Sequence, residues 1–210
     1  MANVREKVER RIGEKLFLKG DRCVGPKCAG VRRAYPPGVH GKSRSRSRNR
    51  GGSEFSLLLK EKQKVHFFYG LDDRQIKRYA AEASARQGLF SDIFLRMLEG
   101  RLDSAVWRAG FFSSRRACRQ AIAHGHILVN GKSARIPSRQ IRIGDTITLA
   151  ERSIRTGIAP AASERLKHYE PPKWIGLDKA KGVASVRGVP EADEVGMTFD
   201  LTKIREFYSR

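Results

Sequence analysis

Three absences narrow the class of protein before any motif is considered. Only three cysteines occur among the 210 residues, too few and too scattered for the disulfide framework of a secreted protein. No apolar run approaches the ~18 residues that a membrane span requires, and no apolar signal-peptide core follows Met1. We therefore expect a protein of the reducing cytoplasm with no membrane partner.

Catalytic motifs are missing as well. The chain has no H-E-x-x-H, no G-x-x-x-x-G-K-[ST], no G-x-S-x-G, and no G-x-G-x-x-G that opens a helix. No nucleophile is paired with a base, and a surface loop explains the acidic cluster Glu191, Asp193 and Glu194. The sequence therefore predicts a protein that is not an enzyme and has no small-molecule substrate.

Acidic residues are scarce, and the resulting charge is the strongest signal in the composition. Lys and Arg number 43 against 22 Asp and Glu, which gives a formal net charge of +21. Such an excess is self-repulsive unless a polyanion neutralises it, so it favours nucleic acid as the partner. Hydrophobic residues still make up 40% of the chain, which is enough for a core and excludes a wholly disordered basic tail.

The positive charge is concentrated in two blocks. Residues 1–50 carry 15 basic and 4 acidic groups, and residues 101–150 carry 9 and 2. The other two blocks, 51–100 and 151–210, are nearly neutral. A uniformly solvated surface would not give this contrast, so we expect the neutral blocks to form scaffold and the basic ones to meet the partner.

The first block predicts an extended basic arm. Prolines and glycines in Tyr35-Pro36-Pro37-Gly38-Val39-His40-Gly41 disfavour helix and favour turns. Residues 42–50 contain five basic residues and no apolar one, so this stretch should stay flexible until it binds. A solvated linker is the alternative, but linkers usually mix signs or use Gly and Ser, and phosphate binding is therefore favoured.

Helices are predicted beyond the arm. Apolar residues at spacings of three and four predict helices over 53–69 and 72–86, capped by Ser53 and Asp72. A third helix is predicted to begin at Ser91 and to continue through Val106. Their apolar stripes are interpreted as core rather than ligand surface.

A further helix, capped by Ser113 or Ser114 and closed at Gly125, is predicted to separate an apolar face from a basic one. Helical spacing places Cys118 on the apolar side. Three guanidiniums fall on the opposite face, near the helix N-terminus: Arg115, Arg116 and Arg119. Free backbone amides and capping hydroxyls lie at the same end, so we predict an anion platform there.

Strands are predicted after this helix. The Asn130-Gly131 pair suits a type I′ turn between two short β runs, and Gly144-Asp145 precedes another strand, Thr146–Leu149. Residues 91–150 therefore read as helix, helix, hairpin and strand.

That order carries recognisable motifs. They are Arg101-Leu102-Asp103, Ser113-Ser114-Arg115-Arg116-Ala117, His124-Gly125-His126-Ile127, Val129-Asn130-Gly131-Lys132 and Arg142-Ile143-Gly144-Asp145. In this combination the segment resembles the S4 RNA-binding domain. The resemblance implies an RNA surface in this module, made of Arg101, Arg108, Ser113, Ser114, Arg115, Arg116, Arg119, Gln120, His124, His126, Asn130 and Lys132.

The flanking segments extend the resemblance to essentially the whole chain. Leu16-Phe17-Leu18-Lys19-Gly20, the Tyr35–Gly41 element, Lys60-Glu61-Lys62-Gln63-Lys64 and Glu206-Phe207-Tyr208-Ser209-Arg210 are similar to the bacterial ribosomal protein S4 family. With the basic residues of the arm, they complete the predicted RNA contacts: Tyr35, His40, Arg44, Arg46, Arg48, Arg50, Lys60, Lys62 and Lys64.

The fold class predicted from these features is α+β. We expect a basic N-terminal arm over 1–50, a helical scaffold domain formed by 51–90 with 196–210, and an inserted helix-helix-β-hairpin RNA-binding domain with a C-terminal elaboration over 91–195. The resemblance implies a structural component of the small ribosomal subunit in the cytoplasm. It implies direct, early binding of small-subunit (16S) rRNA at a helix junction of the 5′ domain, which nucleates assembly. It also implies contact with ribosomal protein S5, a position near the tunnel through which mRNA enters, and an influence on translational accuracy.

Two pairs of residues in the sequence could bind a metal. Cys23 and Cys28 could supply half of a zinc site, but the second cysteine pair of zinc-bearing family members is replaced here by Glu6 and Glu9. Two hard oxygen donors beside two thiolates make a poor structural zinc site. We therefore predict no cofactor, and zinc at Cys23 and Cys28 is the less favoured alternative. His124 and His126 could also bind metal, but no third ligand lies nearby in the sequence, and RNA contact is favoured.

Two rival functions use the same module. An RNA-modifying synthase would need a catalytic domain, for which residues 151–210 offer no recognisable site. A stress factor that binds stalled large subunits would leave the family-like arm and C-terminus unexplained. We therefore predict a non-enzymatic, structural RNA-binding protein.

Overall fold

The computed structural model describes residues 5–42, 53–196 and 199–209. The chain divides into two compact units, one formed by 1–84 with 198–210 and the other by 85–197. None of the helices within the described ranges combines the length and the apolar character needed to cross a membrane.

In the described residues, eight helices of 4 to 16 residues precede the sheet. In chain order the described elements are α1 (Arg5–Ile12), α2 (Asp21–Val24), α3 (Ala29–Arg32), α4 (Glu54–Tyr69), α5 (Asp73–Ala85), α6 (Phe90–Glu99), α7 (Leu102–Arg108), α8 (Arg115–Ala123), β1 (Ile127–Val129), β2 (Lys132–Ser133), β3 (Thr146–Leu149), α9 (Arg152–Arg155), α10 (Ile158–Lys167), β4 (Ile175–Asp178), β5 (Val183–Val186), α11 (Ala192–Val195) and α12 (Leu201–Ser209). The mixture of helices and one sheet confirms the α+β class.

Local capping fixes the two long helices of the first unit, as predicted. Ser53 Oγ accepts a hydrogen bond from Ser56 N at the start of α4, and Gly70 ends that helix at a φ of 61°. Before α5, Asp72 Oδ1 accepts from Gln75 N at 2.7 Å while Gln75 Oε1 accepts from Asp72 N at 3.2 Å. This reciprocal pair satisfies two amides that the helix itself leaves without partners.

The C-terminal helix α12 packs on α4 in the same unit. The rings of Phe55 and Phe207 lie 5.8 Å apart, and Tyr208 Oη donates to Asp73 Oδ1 at 3.1 Å. Ile204 on α12 is fully buried. The C-terminal helix therefore belongs to the same packed unit as α4 and α5.

The N-terminal residues fold into this unit instead of forming an extended arm. Val8, Ile12, Leu16 and Leu18 are buried in one cluster with the α4 aromatics Phe67 and Phe68 packed against it. The extended arm is therefore wrong for residues 5–42, because apolar side chains spaced through the basic block find partners on α4. Residues 43–52, which include the predicted Arg44, Arg46, Arg48 and Arg50, lie outside the described residues.

The second unit is built on an antiparallel sheet in the order β2-β1-β3-β5-β4. Asn130 and Gly131 have φ values of 52° and 74°, so the tight turn between β1 and β2 has the positive-φ pair that was predicted. Alternate strand residues turn inward, as expected for a sheet with one buried face. The buried set includes Ile127, Val129, Ile147, Ala184 and Val186, together with Leu102, Val106 and Ile122 of the helices.

The single helix predicted from Ser91 through Val106 is interrupted. Arg101 is extended, with φ −73° and ψ 143°, and pairs with Gln140 in an isolated antiparallel bridge. Leu102 N donates to Arg139 O at 2.8 Å, and Ile141 N donates to Gly100 O at 2.9 Å. Tertiary hydrogen bonds to a distant loop thus separate α6 from α7.

Candidate nucleic-acid interface

A buried carboxylate controls the start of α8. Ser114 Oγ caps the helix by accepting from Ala117 N at 3.3 Å. The first helical residue, Arg115, is buried, and its Nη2 lies 3.0 Å from Oε1 of the fully buried Glu99. Its guanidinium also stacks on Trp107, with Cζ 3.9 Å from the ring centroid. Arg115 is thus fixed inside the module.

Glu99 binds a second arginine. Arg108 Nε and Nη2 donate to Glu99 Oε2 and Oε1 at 3.1 and 3.0 Å, and Arg108 Nη2 also donates to the Val195 carbonyl at 3.0 Å. A carboxylate buried in this way is tolerable only when it is paired and fully hydrogen-bonded. The cluster retains one formal positive charge because two guanidiniums face one carboxylate.

Asp103 organises a parallel cluster. Arg101 Nε and Nη2 lie 3.0 Å from Oδ1 and Oδ2 of the buried Asp103. Arg119 Nε donates to Asp103 Oδ2 at 2.6 Å, and Ser104 N donates to Oδ1 at 2.9 Å. This cluster also keeps one formal positive charge.

These pairings correct the predicted anion platform. Arg115, Arg116 and Arg119 do not form one common exposed face, because Arg115 turns inward to Glu99 and Arg119 engages Asp103. Of the three, only Arg116 is exposed. Sequence spacing correctly found the helix and its cap, but the two internal carboxylates lie on α6 and α7 and redirect two of its cations.

An exposed basic edge runs along α8 and continues past its end. Arg116, Gln120 and His124 are exposed at intervals of four residues and therefore share one helix face. At Gly125, where φ is 71°, Arg152 Nη2 donates to the carbonyls of His124 and Gly125. Arg135 is exposed beside the same glycine. A Cβ atom added to Gly125 would lie 3.3 Å from Arg135 Nε. We call Arg116, Gln120, His124, Arg135 and Arg152 the basic edge.

Sequence reasoning missed Arg135 and Arg152. Arg135 follows β2, and Arg152 belongs to a block whose net charge is nearly neutral. No local pattern marks either residue, because the turn at Gly125 brings them together only in the folded module. An arginine directly after a predicted hairpin was the one available signal, and it applied to Arg135 alone.

Three of the remaining predicted residues of the module lie around the hairpin. Lys132 and Asn130 are exposed, and the Asn130 amide donates to Asp145 Oδ1 at 2.7 Å while its oxygen accepts from Thr146 N at 2.8 Å.

His126 Nδ1 lies 3.2 Å from Ser153 Oγ. Desolvation, followed by the nearby charges of Arg152 and His124, lowers the pKa of His126. The ring is therefore neutral near pH 7 and acts as a hydrogen-bonding group. Ser113 is half-exposed beside the cap.

The predicted lysines of α4 are paired with carboxylates. Lys60 Nζ lies 2.8 Å from Glu14, Lys62 pairs with Asp73, and Lys64 is buried between Glu14 and Glu61. Tyr35 lies under the guanidinium of Arg10, with Cζ 5.0 Å from the ring centroid, and His40 is exposed. In this unit the structure brings the lysines to internal partners instead of grouping them on one surface.

The cysteine pair does not fit a zinc site. Cys23 and Cys28 are buried, and the Cys23 thiol donates to Glu9 Oε2 at 3.9 Å. The other Glu9 oxygen accepts from Leu16 N at 3.1 Å and Leu18 N at 3.0 Å. Burial raises the pKa of the Cys23 thiol. Within the described ranges, no group of three or more His, Cys, Asp or Glu side chains could hold a metal ion.

Comparison with known proteins agrees with this architecture. The family profile of the S4 domain matches residues 100–147, and that of the ribosomal protein S4/S9 N-terminal domain matches residues 3–99. Residues 100–147, which contain α7, α8, β1 and β2, thus form an S4 domain.

Whole-chain relatives narrow the class. Small ribosomal subunit protein uS4 of Syntrophomonas wolfei is 41% identical over 96% of this chain and 94% of its own length. The Thermus thermophilus protein of that name is 40% identical over the same shares, and uS4A of Bdellovibrio bacteriovorus is 41% identical over 97% and 96%. The chain belongs to the ribosomal protein uS4 family, a structural, non-enzymatic class of small-subunit, RNA-binding proteins. The predicted family is confirmed.

Proposed function

We propose that this protein binds 16S rRNA directly as a structural component of the small subunit and acts early in assembly. The observation that carries the proposal is the basic edge. Within the described part of the chain, its three arginines form no ion pair with a carboxylate, whereas Arg101, Arg108, Arg115 and Arg119 all do. Guanidiniums that have no carboxylate partner, placed by the capped helix α8, the loop after β2 and the start of α9, suit RNA phosphates.

The proposed mechanism is electrostatic and geometric. Helices that meet at an RNA junction repel one another through their phosphates, and arginines placed between them reduce that repulsion. The internal clusters of Glu99 and Asp103 hold the surface in shape and leave it positive. The proposed contacts are the predicted ones with Arg135 and Arg152 added, and buried Arg101 and Arg115 act mainly by holding the others in place.

Finer features of the proposal follow the family resemblance. We propose a helix junction of the 5′ domain as the binding site, ribosomal protein S5 as a neighbour, and a position near the tunnel through which mRNA enters, where the protein influences translational accuracy. We also propose that it works in the cytoplasm without a cofactor. The proposed division of labour is a basic, RNA-binding N-terminal segment over 1–50, a scaffold of 51–90 with 196–210, and an RNA-binding domain over 91–195.

The test is chemical footprinting of naked 16S rRNA with the purified chain at several salt concentrations. Large-subunit rRNA serves as the competitor. Protection confined to one multi-helix junction of the 5′ domain, resistant to the competitor, is the expected result. Diffuse protection that salt removes would overturn the proposal, and a preference for large-subunit rRNA would favour the stress-factor alternative.

A further inference from the structure

The turn between β1 and β2 contains a chemically labile pair of residues. The sequence has three asparagines, and Asn130 is the one that glycine follows. Because glycine has no Cβ, the backbone nitrogen of Gly131 is unshielded and can approach the side-chain carbonyl carbon of Asn130. Both residues are exposed, and a Cβ added to Gly131 would meet no atom within 4 Å. The sequence and the exposure therefore favour loss of the Asn130 amide.

Hydrogen bonds turn the Asn130 side chain toward β3. Asn130 N donates to Thr146 O at 2.9 Å, which extends the pairing of β1 with β3 by one residue. In a regular antiparallel pair Thr146 N would donate to the backbone carbonyl of Asn130, but here it donates to the side-chain Oδ1 at 2.8 Å. Thr146 Oγ1 donates to the same oxygen at 3.1 Å, and Asn130 Nδ2 donates to Asp145 Oδ1 at 2.7 Å.

These bonds oppose the geometry that loss of the amide needs. Ring closure brings Asn130 Cγ onto Gly131 N, so the side chain must leave its partners at the start of β3. Asp145 is held in place, because its Oδ2 accepts from Arg142 N at 2.8 Å. The folded turn therefore slows a reaction that the sequence favours.

We propose that Asn130 is a site of spontaneous deamidation, and that its hydrogen bonds to Asp145 and Thr146 set the rate. Gly131 N attacks Asn130 Cγ, the Cγ–Nδ2 bond breaks, and Nδ2 leaves as ammonia with the proton of the Gly131 amide. Water then opens the cyclic imide. Cleavage at Cγ gives aspartate, and cleavage at the backbone carbonyl gives isoaspartate. The net change replaces NH2 by OH and consumes only water.

The product changes the contact with Asp145. A carboxylate at position 130 cannot donate to Asp145 Oδ1, so two like charges would face each other where the structure has one hydrogen bond. Isoaspartate also lengthens the backbone of a tight turn, which disturbs the register of β1 and β2. Both products add a negative charge near the exposed Lys132 and should weaken RNA binding, a consequence that rests on the proposed function.

The experiment incubates the full chain at mildly alkaline pH and follows the tryptic peptide 120–132 by mass spectrometry. Asp145→Ala removes the acceptor of the Asn130 amide. The matched control is Asp178→Ala, since Asp178 Oδ1 accepts two backbone amides in the turn between β4 and β5. Asp145→Ala should deamidate at Asn130 about tenfold faster than the wild type, because a hydrogen bond to a charged group is lost. Asp178→Ala should deamidate at the wild-type rate.

The wild type in urea supplies the rate for the open turn and does not depend on how well a variant folds. Deamidation of Asn130 should be slower in the native wild type than in urea, with native Asp145→Ala between the two. Equal rates in the native and urea-treated wild type, no deamidation of Asn130 in urea, or equal rates in the two aspartate variants would each overturn the proposal.

Binding to 16S rRNA tests the consequence for RNA. Asn130→Asp imitates the product, and Asn130→Gly removes the amide without adding a charge. Asn130→Asp should bind on the order of threefold more weakly than Asn130→Gly, and equal binding would overturn the effect on RNA. Failure of the wild type to bind 16S rRNA would overturn the proposed function alone, because the deamidation rates are measured without RNA.

Discussion

Glu99 Oε1 lies 3.0 Å from Arg115 Nη2 and joins the last residue of α6 to the first residue of α8. The carboxylate is fully buried and Arg115 nearly so, which makes this pair part of the interior. The link holds the start of α8 against the end of α6, and α8 carries Arg116 and Gln120 of the basic edge.

Glu99→Gln should destabilise the second unit by about 3 to 5 kcal/mol, because the buried Arg115 and the partly buried Arg108 would lose their carboxylate. Both tryptophans, Trp107 and Trp174, lie in this unit, so fluorescence during urea unfolding reports on it selectively. Glu164→Gln, which changes an exposed carboxylate paired with Lys167, is the control and should leave the urea midpoint unchanged. Equal midpoints for wild type and Glu99→Gln would contradict the structural role of the pair.

Neighbouring arginines of α8 should separate stability from binding. Arg115→Ala removes a buried partner of Glu99 and should cost about 2 kcal/mol or more in the fluorescence-detected unfolding of this unit. Arg116→Ala changes an exposed residue, so it should leave stability within about 0.5 kcal/mol while weakening 16S rRNA binding and its salt dependence. A loss of stability in Arg116→Ala, or unchanged 16S rRNA binding by that variant, would contradict this assignment.

Acid should loosen the attachment of α12. The hydrogen bond from Lys62 is the largest cause of the lowered pKa of Asp73, opposed by desolvation and assisted by Tyr208. A carboxyl whose pKa is lower in the folded state stabilises the fold above its ordinary pKa of 3.8, and the contribution disappears as the pH falls through the folded value. Protection of the α12 amides from hydrogen exchange, corrected for intrinsic rates, should therefore fall below about pH 3.8.

Asp73→Asn provides the comparison for this effect. Its α12 amides should exchange faster than those of the wild type at pH 5, and the difference should shrink as the wild-type carboxyl becomes protonated. A difference that stays constant down to the lowest pH at which the chain is folded would show that Asp73 does not hold α12 through its charge.

Glu9 should be essential for the loop that follows α1. Its carboxylate accepts from the amides on both sides of Phe17, whose φ of 53° is unfavourable for an aromatic residue. Glu9→Ala should cost about 2 kcal/mol or more and speed hydrogen exchange at Leu16 and Leu18. Glu9→Gln keeps an oxygen acceptor and should retain most of the protection, and identical behaviour of the two variants would refute this role.

Features fixed by neighbouring residues could be predicted from the sequence. The caps at Ser53, Asp72 and Ser114 and the turn at Asn130 each depend on hydrogen bonds or dihedral angles within four residues, and all were found. The family resemblance supplied the ribosomal class for the same reason, because its motifs are short and lie at fixed positions along the chain.

Features that depend on distant partners were missed. The extended arm failed because the burial of Leu16 and Leu18 depends on Phe67 and Phe68, about fifty residues later. The break before α7 requires the loop at Gln140, and the inward turn of Arg115 requires Glu99. The strands β4 and β5, which complete the sheet, lie in a segment whose pattern carried no strand prediction.

The packing of α12 on α4 and α5 imposes an order on biosynthesis. Tyr208 and Asp73 are 135 residues apart in sequence, and the whole second unit lies between them. Translation at roughly 5 to 20 residues per second separates the two by on the order of ten seconds. The unit that is synthesised first is therefore completed last. Until α12 has been synthesised, the α4 face around Phe55 stays uncovered on the nascent chain.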